Sequence, residues 1–81
     1  MYNIKILGTG CSKCLKLEEN VRRAISEMSI EAEVFKVTDL NDIMAYGVLM
    51  PPGLVINEKV VSFGKLLNSK DVAKLITEFK I

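Results

Sequence analysis

The two cysteines of the chain stand three positions apart, in Cys11-Ser12-Lys13-Cys14. A bridge between them closes a very short loop and staples nothing distant, so the fold has to be held by packing alone. Their setting is equally restrictive. Tyr2 to Leu7 is rich in β-branched residues, partly alternating, and reads as a strand that ends at Gly8. Gly8-Thr9-Gly10 is a turn signal. From Ser12 to Met28 the apolar positions Cys14, Leu17, Val21, Ala24, Ile25 and Met28 recur at steps of three and four, with Lys13, Lys16, Glu19, Arg22 and Arg23 on the other face. That period predicts an amphipathic helix of about four turns. The cysteine pair therefore marks the point where a strand becomes a helix.

The remaining elements follow from the same two periods. Ile30 to Val37 mixes Ala32, Val34 and Phe35 with Glu31, Glu33 and Lys36 and reads as a second strand. Thr38-Asp39 offers a cap for a short helix carrying Leu40, Ile43 and Met44, which stops at Gly47. Leu54 to Ile56 and Val60 to Phe63 form a hairpin across Asn57-Glu58-Lys59. Ser69 caps a last helix, running to Lys80, whose apolar face is Val72, Leu75, Ile76 and Phe79. The order is β-α-β-α-β-β-α, an α/β chain. The first two strands, joined by a long helix, should be parallel with a right-handed crossover, and the hairpin should extend the same sheet antiparallel. A four-stranded mixed sheet flanked by helices results.

Size and composition limit the function classes. At 81 residues there is room for one domain, spanning 1–81, and its core is thin. Eleven Lys and Arg against ten Asp and Glu leave a net charge of +1, so nucleic acid is not an expected partner. The longest apolar run, Val48 to Ile56, is broken by Pro51 and Pro52, so no membrane span is expected either. No basic region followed by a long apolar stretch opens the chain, which is consistent with a cytoplasmic protein. There is no histidine, which excludes a His general base, a Ser-His triad and any His-containing metal site.

The pair itself carries the chemistry. The thiolate is the reactive form of cysteine, and a helix N-terminus or a nearby cation lowers its pKa. Cys11 opens the helix, where unpaired N–H groups and the helix dipole favour an anion, with Lys13 and Lys16 expected to add positive charge. Cys14 lies one turn further in, on the face destined for burial. Cys11 would attack and Cys14 would resolve the mixed disulfide. The competing chemistry is metal binding by Cys11 and Cys14. A closed zinc site needs four ligands and one chain offers two thiolates, which leaves a metal shared between chains or a two-sulfur copper(I) site.

The stretches Ile4-Lys5-Ile6-Leu7-Gly8-Thr9-Gly10-Cys11-Ser12-Lys13-Cys14, Leu15-Lys16-Leu17-Glu18-Glu19-Asn20 and Met50-Pro51-Pro52-Gly53-Leu54-Val55-Ile56-Asn57 resemble the thioredoxin-like superfamily. More narrowly, they are similar to the small, glutaredoxin-sized redox-active disulfide proteins of prokaryotes. The element order matches from end to end. The resemblance implies a thioredoxin/glutaredoxin-like fold and a thiol–disulfide oxidoreductase using the Cys11–Cys14 dithiol, with no cofactor besides that redox-active disulfide. It implies protein disulfide substrates and a thioredoxin-reductase-like or other dithiol reductant. A carrier or sensor with little turnover fits the same residues, and the protein is expected to be a monomer. The resemblance also places a cis-proline beside the pair. Pro51 and Pro52 compete for that place, and the run Pro52-Gly53-Leu54-Val55 fits the family pattern better. Gly10, Ser12 and Lys13 complete the supporting set, and Pro52 would help keep metals off the thiolates.

The chain departs from the family pattern in five respects. Gly10 stands where thioredoxins carry Trp, and Ser12-Lys13 where they carry Gly-Pro. The first strand holds Asn3 and Lys5 but no acid to take the proton of Cys14. Gly64-Lys65-Leu66-Leu67 is not the Gly-Gly and acidic run with which glutaredoxins hold glutathione. With Pro52 cis, Pro51 precedes it and offers a substrate no N–H. The alternative family is the copper-chaperone type, whose loop resembles Gly8-Thr9-Gly10-Cys11-Ser12-Lys13-Cys14. That loop wants Met in place of Thr9, and its β-α-β-β-α-β fold ends in a strand. Met28, Met44 and Met50 read as core or rim filler, Tyr46 as packing, and Ser69 and Asp71 as helix-terminal residues. An apolar rim of Gly10, Met50 and Pro51 could dock a protein partner.

Overall fold

The computed structural model describes residues 1–79. Its order is β1 (Tyr2–Leu7), α1 (Ser12–Met28), β2 (Ala32–Val37), α2 (Leu40–Ala45), β3 (Gly53–Ile56), β4 (Lys59–Phe63) and α3 (Ser69–Glu78). The strands form one sheet in the order β2-β1-β3-β4. β1 and β2 are parallel, and β3 and β4 join antiparallel.

The apolar stripe of α1 explains one face of this sheet. Leu17, Val21 and Ala24 are buried with Ile4 and Ile6 of β1, Leu54 and Ile56 of β3, and Val72 and Ile76 of α3. Alternation along β1 sends Leu7 to the opposite face, where it packs with Ile43, Val48 and Val55. Burying an aliphatic side chain of this kind stabilises a fold by about 1.5–3 kcal/mol, so α1 and α3 hold one side far more strongly than the single short α2 holds the other. On that thinner side Lys5 donates to Tyr46 Oη at 2.9 Å and pairs with Glu58 at 2.5 Å, while Tyr46 Oη donates to Glu58 at 3.2 Å. Tyr46, expected only to pack, thus also bridges β1 to the hairpin tip.

Several boundaries differ from the sequence expectation. The second strand starts at Ala32, not Ile30, because Ser29 adopts a left-handed φ of 54° and caps α1, and Ile30 N–H returns to the Ile25 carbonyl at 3.4 Å. The hairpin turn is two residues: Asn57 and Glu58 both have positive φ, 48° and 68°, and Lys59 already belongs to β4. The Asn57 side chain accepts from Asn3 N–H at 2.8 Å and ties the turn to β1. Of the apolar residues in α2 only Ile43 is buried, while Leu40 and Met44 face solvent. Met28 is half-buried against the main core. Ser69 does not cap α3. That role belongs to Asn68, whose Oδ1 accepts from Asp71 N–H at 2.8 Å, and Ser69 is the first helical residue. Lys80, expected to end the helix, lies outside the described residues.

Asn68→Ala should therefore cost about 1 kcal/mol in chemical denaturation, and Ser69→Ala a few tenths. A larger loss at Ser69 would contradict the assigned cap.

Candidate functional site

The site lies at the end of β1 shared with the start of α1 and the loop before β3. Gly8 N–H donates to Val37 O at 3.0 Å, which carries the parallel pairing one step past β1. The chain then turns through Gly10, whose φ of +96° is a left-handed conformation that L side chains rarely take. Cys11 follows as the N-cap of α1, in extended conformation. Leu15 N–H donates to Cys11 O at 3.1 Å and closes the first turn. Ser12 and Lys13 open the helix and are exposed.

The two thiols meet with sharply different surroundings. Cys11 is exposed and Cys14 is buried, and both are free. Their sulfurs lie 2.8 Å apart, within hydrogen-bond reach. The hydrogen bond from Cys14 holds Cys11 below the ordinary thiol pKa, and N–H groups of Cys14 and Lys13 add to the effect without forming a full cap. Burial pushes Cys14 up, and its bond to Cys11 acts in the same direction. The charges of the lysines expected to help are not among the causes. Lys16 is turned to Glu19 at 3.7 Å, and Lys13 is exposed. The low pKa of Cys11 is a matter of its thiol partner and the helix start.

The prolines divide the remaining work. The Pro51–Pro52 peptide bond is cis, so Pro52 is the cis residue of the two. Pro52 is buried, and its carbonyl accepts from Gly64 N–H at 2.8 Å. Pro51 and Met50 are exposed beside it. Gly10, Met50 and Pro51 thus all reach the surface at this end of the sheet, together with Leu15, Leu49 and Phe63.

The sequence reading missed the part played by Gly8. A Cβ there would overlap Cys14 Sγ and stand 2.9 Å from Cys14 Cβ. The buried thiol occupies the space that a side chain at position 8 would need. A glycine directly after the strand was visible in the sequence, but it reads as a turn residue because the close approach is tertiary. Among the described residues no three Cys, His, Asp or Glu side chains gather closely enough to hold a metal ion.

Known proteins agree with this arrangement. The family profile for the thioredoxin domain matches residues 2–77. The chain belongs to the thioredoxin family. It is 37% identical over 79 residues to a thioredoxin of Methanocaldococcus jannaschii, covering 98% of this chain and 91% of that one. It is 32% identical over 77 residues to a thioredoxin of Methanothermobacter thermautotrophicus, covering 95% of this chain and all of that one. The solved structure of a malarial protein superposes with a TM-score of 0.70 at 15% identity, covering 96% of both chains, which supports the fold. With its fold, its family and its thiol pair, the protein is a thioredoxin-like thiol–disulfide oxidoreductase.

Two outcomes follow from the geometry. Gly8→Ala should lower stability by about 1–3 kcal/mol in thermal or denaturant unfolding, because the helix start has to move off the sheet. An unchanged midpoint would show that Cys14 can yield. Alkylation should modify Cys11 first, its rate rising with pH through a midpoint below that of an ordinary thiol, while Cys14 reacts only at higher pH. Mass mapping of the modified residue over a pH series checks the order, and Cys14 reacting first would contradict it.

Proposed function

We propose that the protein moves electron pairs between protein disulfides and a dithiol reductant through Cys11-Ser12-Lys13-Cys14, with Cys11 as nucleophile and Cys14 as resolving thiol. The observation that carries this reading is the unequal pair, an exposed thiol held low in pKa 2.8 Å from a buried thiol pushed high. The Cys11 thiolate attacks a substrate disulfide, one substrate sulfur leaves as a thiolate, and a mixed disulfide forms. Cys14 loses its proton to solvent and attacks Cys11. The second substrate sulfur leaves, takes up a proton, and a Cys11–Cys14 disulfide remains. The substrate has gained two electrons and the protein has lost them. A thioredoxin-reductase-like enzyme or another dithiol protein then restores the pair.

The surroundings support the same reading. Pro52, buried and cis in the loop before β3, takes the family's cis-proline place and helps keep metals off the thiolates. The exposed rim of Gly10, Met50 and Pro51 receives the partner protein, with Ser12 and Lys13 on the helix side. Pro51 offers an incoming chain a carbonyl and no N–H, which weakens backbone docking at that point. The absence of an acidic run after Gly64 speaks against glutathione as the reductant. Function in the cytosol as a monomer fits a small thioredoxin-like carrier. The redox reading is favoured over the copper-chaperone one because that family's β-α-β-β-α-β order is not the order seen here.

Cys11→Ser should abolish turnover on a protein disulfide, and Cys14→Ser should accumulate mixed disulfides visible by non-reducing electrophoresis. If Cys14→Ser were the variant that lost all attack, the roles would be reversed.

A further inference from the structure

The rim beside the thiols does not end at Met50 and Pro51. A Cβ added to Gly8, in the space of the Cys14 sulfur, would come within 4.0 Å of Pro51 Cβ, which sets the loop before β3 against the pair. Pro52 O in turn accepts from Gly64 N–H at 2.8 Å, and a Cβ on Gly64 would lie 3.6 Å from Met50 Cβ. The end of β4 is therefore continuous with the rim. From there an open groove of about 610 Å3 follows β4, the edge strand of the sheet. Val60, Val61 and the exposed Phe63 give it an apolar wall, and Tyr46 and Gly47 line it from the α2 side. An edge strand also leaves backbone N–H and C=O groups free to meet an extended chain.

Charge sets this groove apart from its neighbour. Among the described residues that line it, Lys65, directly after Gly64, is the one that carries a charge. The neighbouring groove on the α3 side shares Lys65 but balances it and Lys74 with Asp71 and Glu78. On the other side of the sulfurs stands Lys13, between the two cysteines. Both lysines are exposed, and neither is ion-paired among the described residues. The acids of α1 are engaged elsewhere, Glu18 with Arg22 and Lys36 and Glu19 with Lys16. Glu58, which reaches Tyr46 at the far end of β4, is paired with Lys5. Asp39 accepts from Asn41 and Asp42 N–H at the start of α2.

We propose that this groove is a specificity site for the disulfide substrate, and that it takes an extended protein segment with acidic residues close to the target disulfide. The segment crosses Met50 and Pro51 with its disulfide at Cys11, lays an apolar side chain against Phe63, and sets carboxylates beside Lys65 and Lys13. Continuity with the thiol site makes the occupant the disulfide substrate itself. The two lysines, unpaired among the described residues, make that substrate acidic. This rests on Cys11 being the attacking thiol. Exposed charges interact weakly through solvent, each changing a rate by about two- to fivefold.

Two peptide disulfides test this. Each is a short peptide with one cysteine and one phenylalanine, joined to its own copy through a disulfide, and the two differ only in carrying glutamates or lysines around the cysteine. The reduced protein passes two electrons to the peptide disulfide. Two peptide thiols are released, and the Cys11–Cys14 disulfide forms. The rate on each peptide, divided by its rate with dithiothreitol to remove the peptide's own reactivity, gives the preference. At low salt the wild type should favour the acidic peptide about three- to tenfold. Near 1 M salt, where charges are screened within about 3 Å, the preference should shrink toward unity. Lys65→Glu should abolish or invert it, and Lys65→Arg should keep it. Equal normalised rates in the wild type, a preference for the basic peptide, or a Lys65→Glu variant that still favours the acidic one would each overturn the proposal. A protein dimer in size exclusion that Lys65→Glu dissociates would give the groove to a second copy and overturn it as well. A wild type that reduces neither peptide would instead overturn the attacking role of Cys11.

Discussion

The first turn of α1 rests on the end of β1 with no side chain between them at position 8. Cys14 fills the space that a Cβ on Gly8 would take, and the rest of the site is arranged around that contact. Because Cys14 is pressed against backbone it is dry, and because it is dry its thiol resists ionisation. A thiol that keeps its proton is a donor. Cys11, 2.8 Å away at the open helix end, receives that hydrogen bond and is the easier of the two to ionise. One steric contact thus becomes a chemical difference between two identical residue types. Spacing alone does not do this. It requires the helix to start at Cys11 and the strand to end on glycine.

The core makes the contact firm. Leu17 and Val21 continue the stripe that Cys14 begins, and they are buried against Ile4 and Ile6 of the same strand that delivers Gly8. Movement of the helix start away from β1 would disturb those neighbours as well. The opposite face of the sheet is held by four buried residues and the Lys5–Tyr46–Glu58 bridge, and it lies away from the thiols. Stability and reactivity are therefore concentrated on the α1 side.

Much of this was legible in the residues. The steps of three and four from Cys14 to Met28, and the two-residue alternation of β1, fix which faces are buried, and the structure follows them. The Cys11–Cys14 spacing already implied one exposed and one sheltered thiol. What was not legible depended on backbone geometry or on contacts between distant segments. Asn68 and Ser69 are adjacent and both common caps, so only the hydrogen bond to Asp71 N–H separates them. Ile30 looks like strand but is used to finish a helix, because Ser29 turns left-handed first. Lys16 looked like a cation for Cys11, yet its ammonium pairs with Glu19, three positions on in the helix, at 3.7 Å.

The account stands or falls on whether the unequal thiols form one reversible disulfide within a single chain. The direct measurement is a redox titration of the purified protein across poised thiol buffers, counting free thiols by mass shift after alkylation. The account predicts a two-electron transition between a dithiol monomer and an internally bridged monomer, at a potential of roughly −180 to −300 mV. A protein that forms no internal disulfide at any potential, or whose thiols stay masked by a co-purified metal, would contradict it.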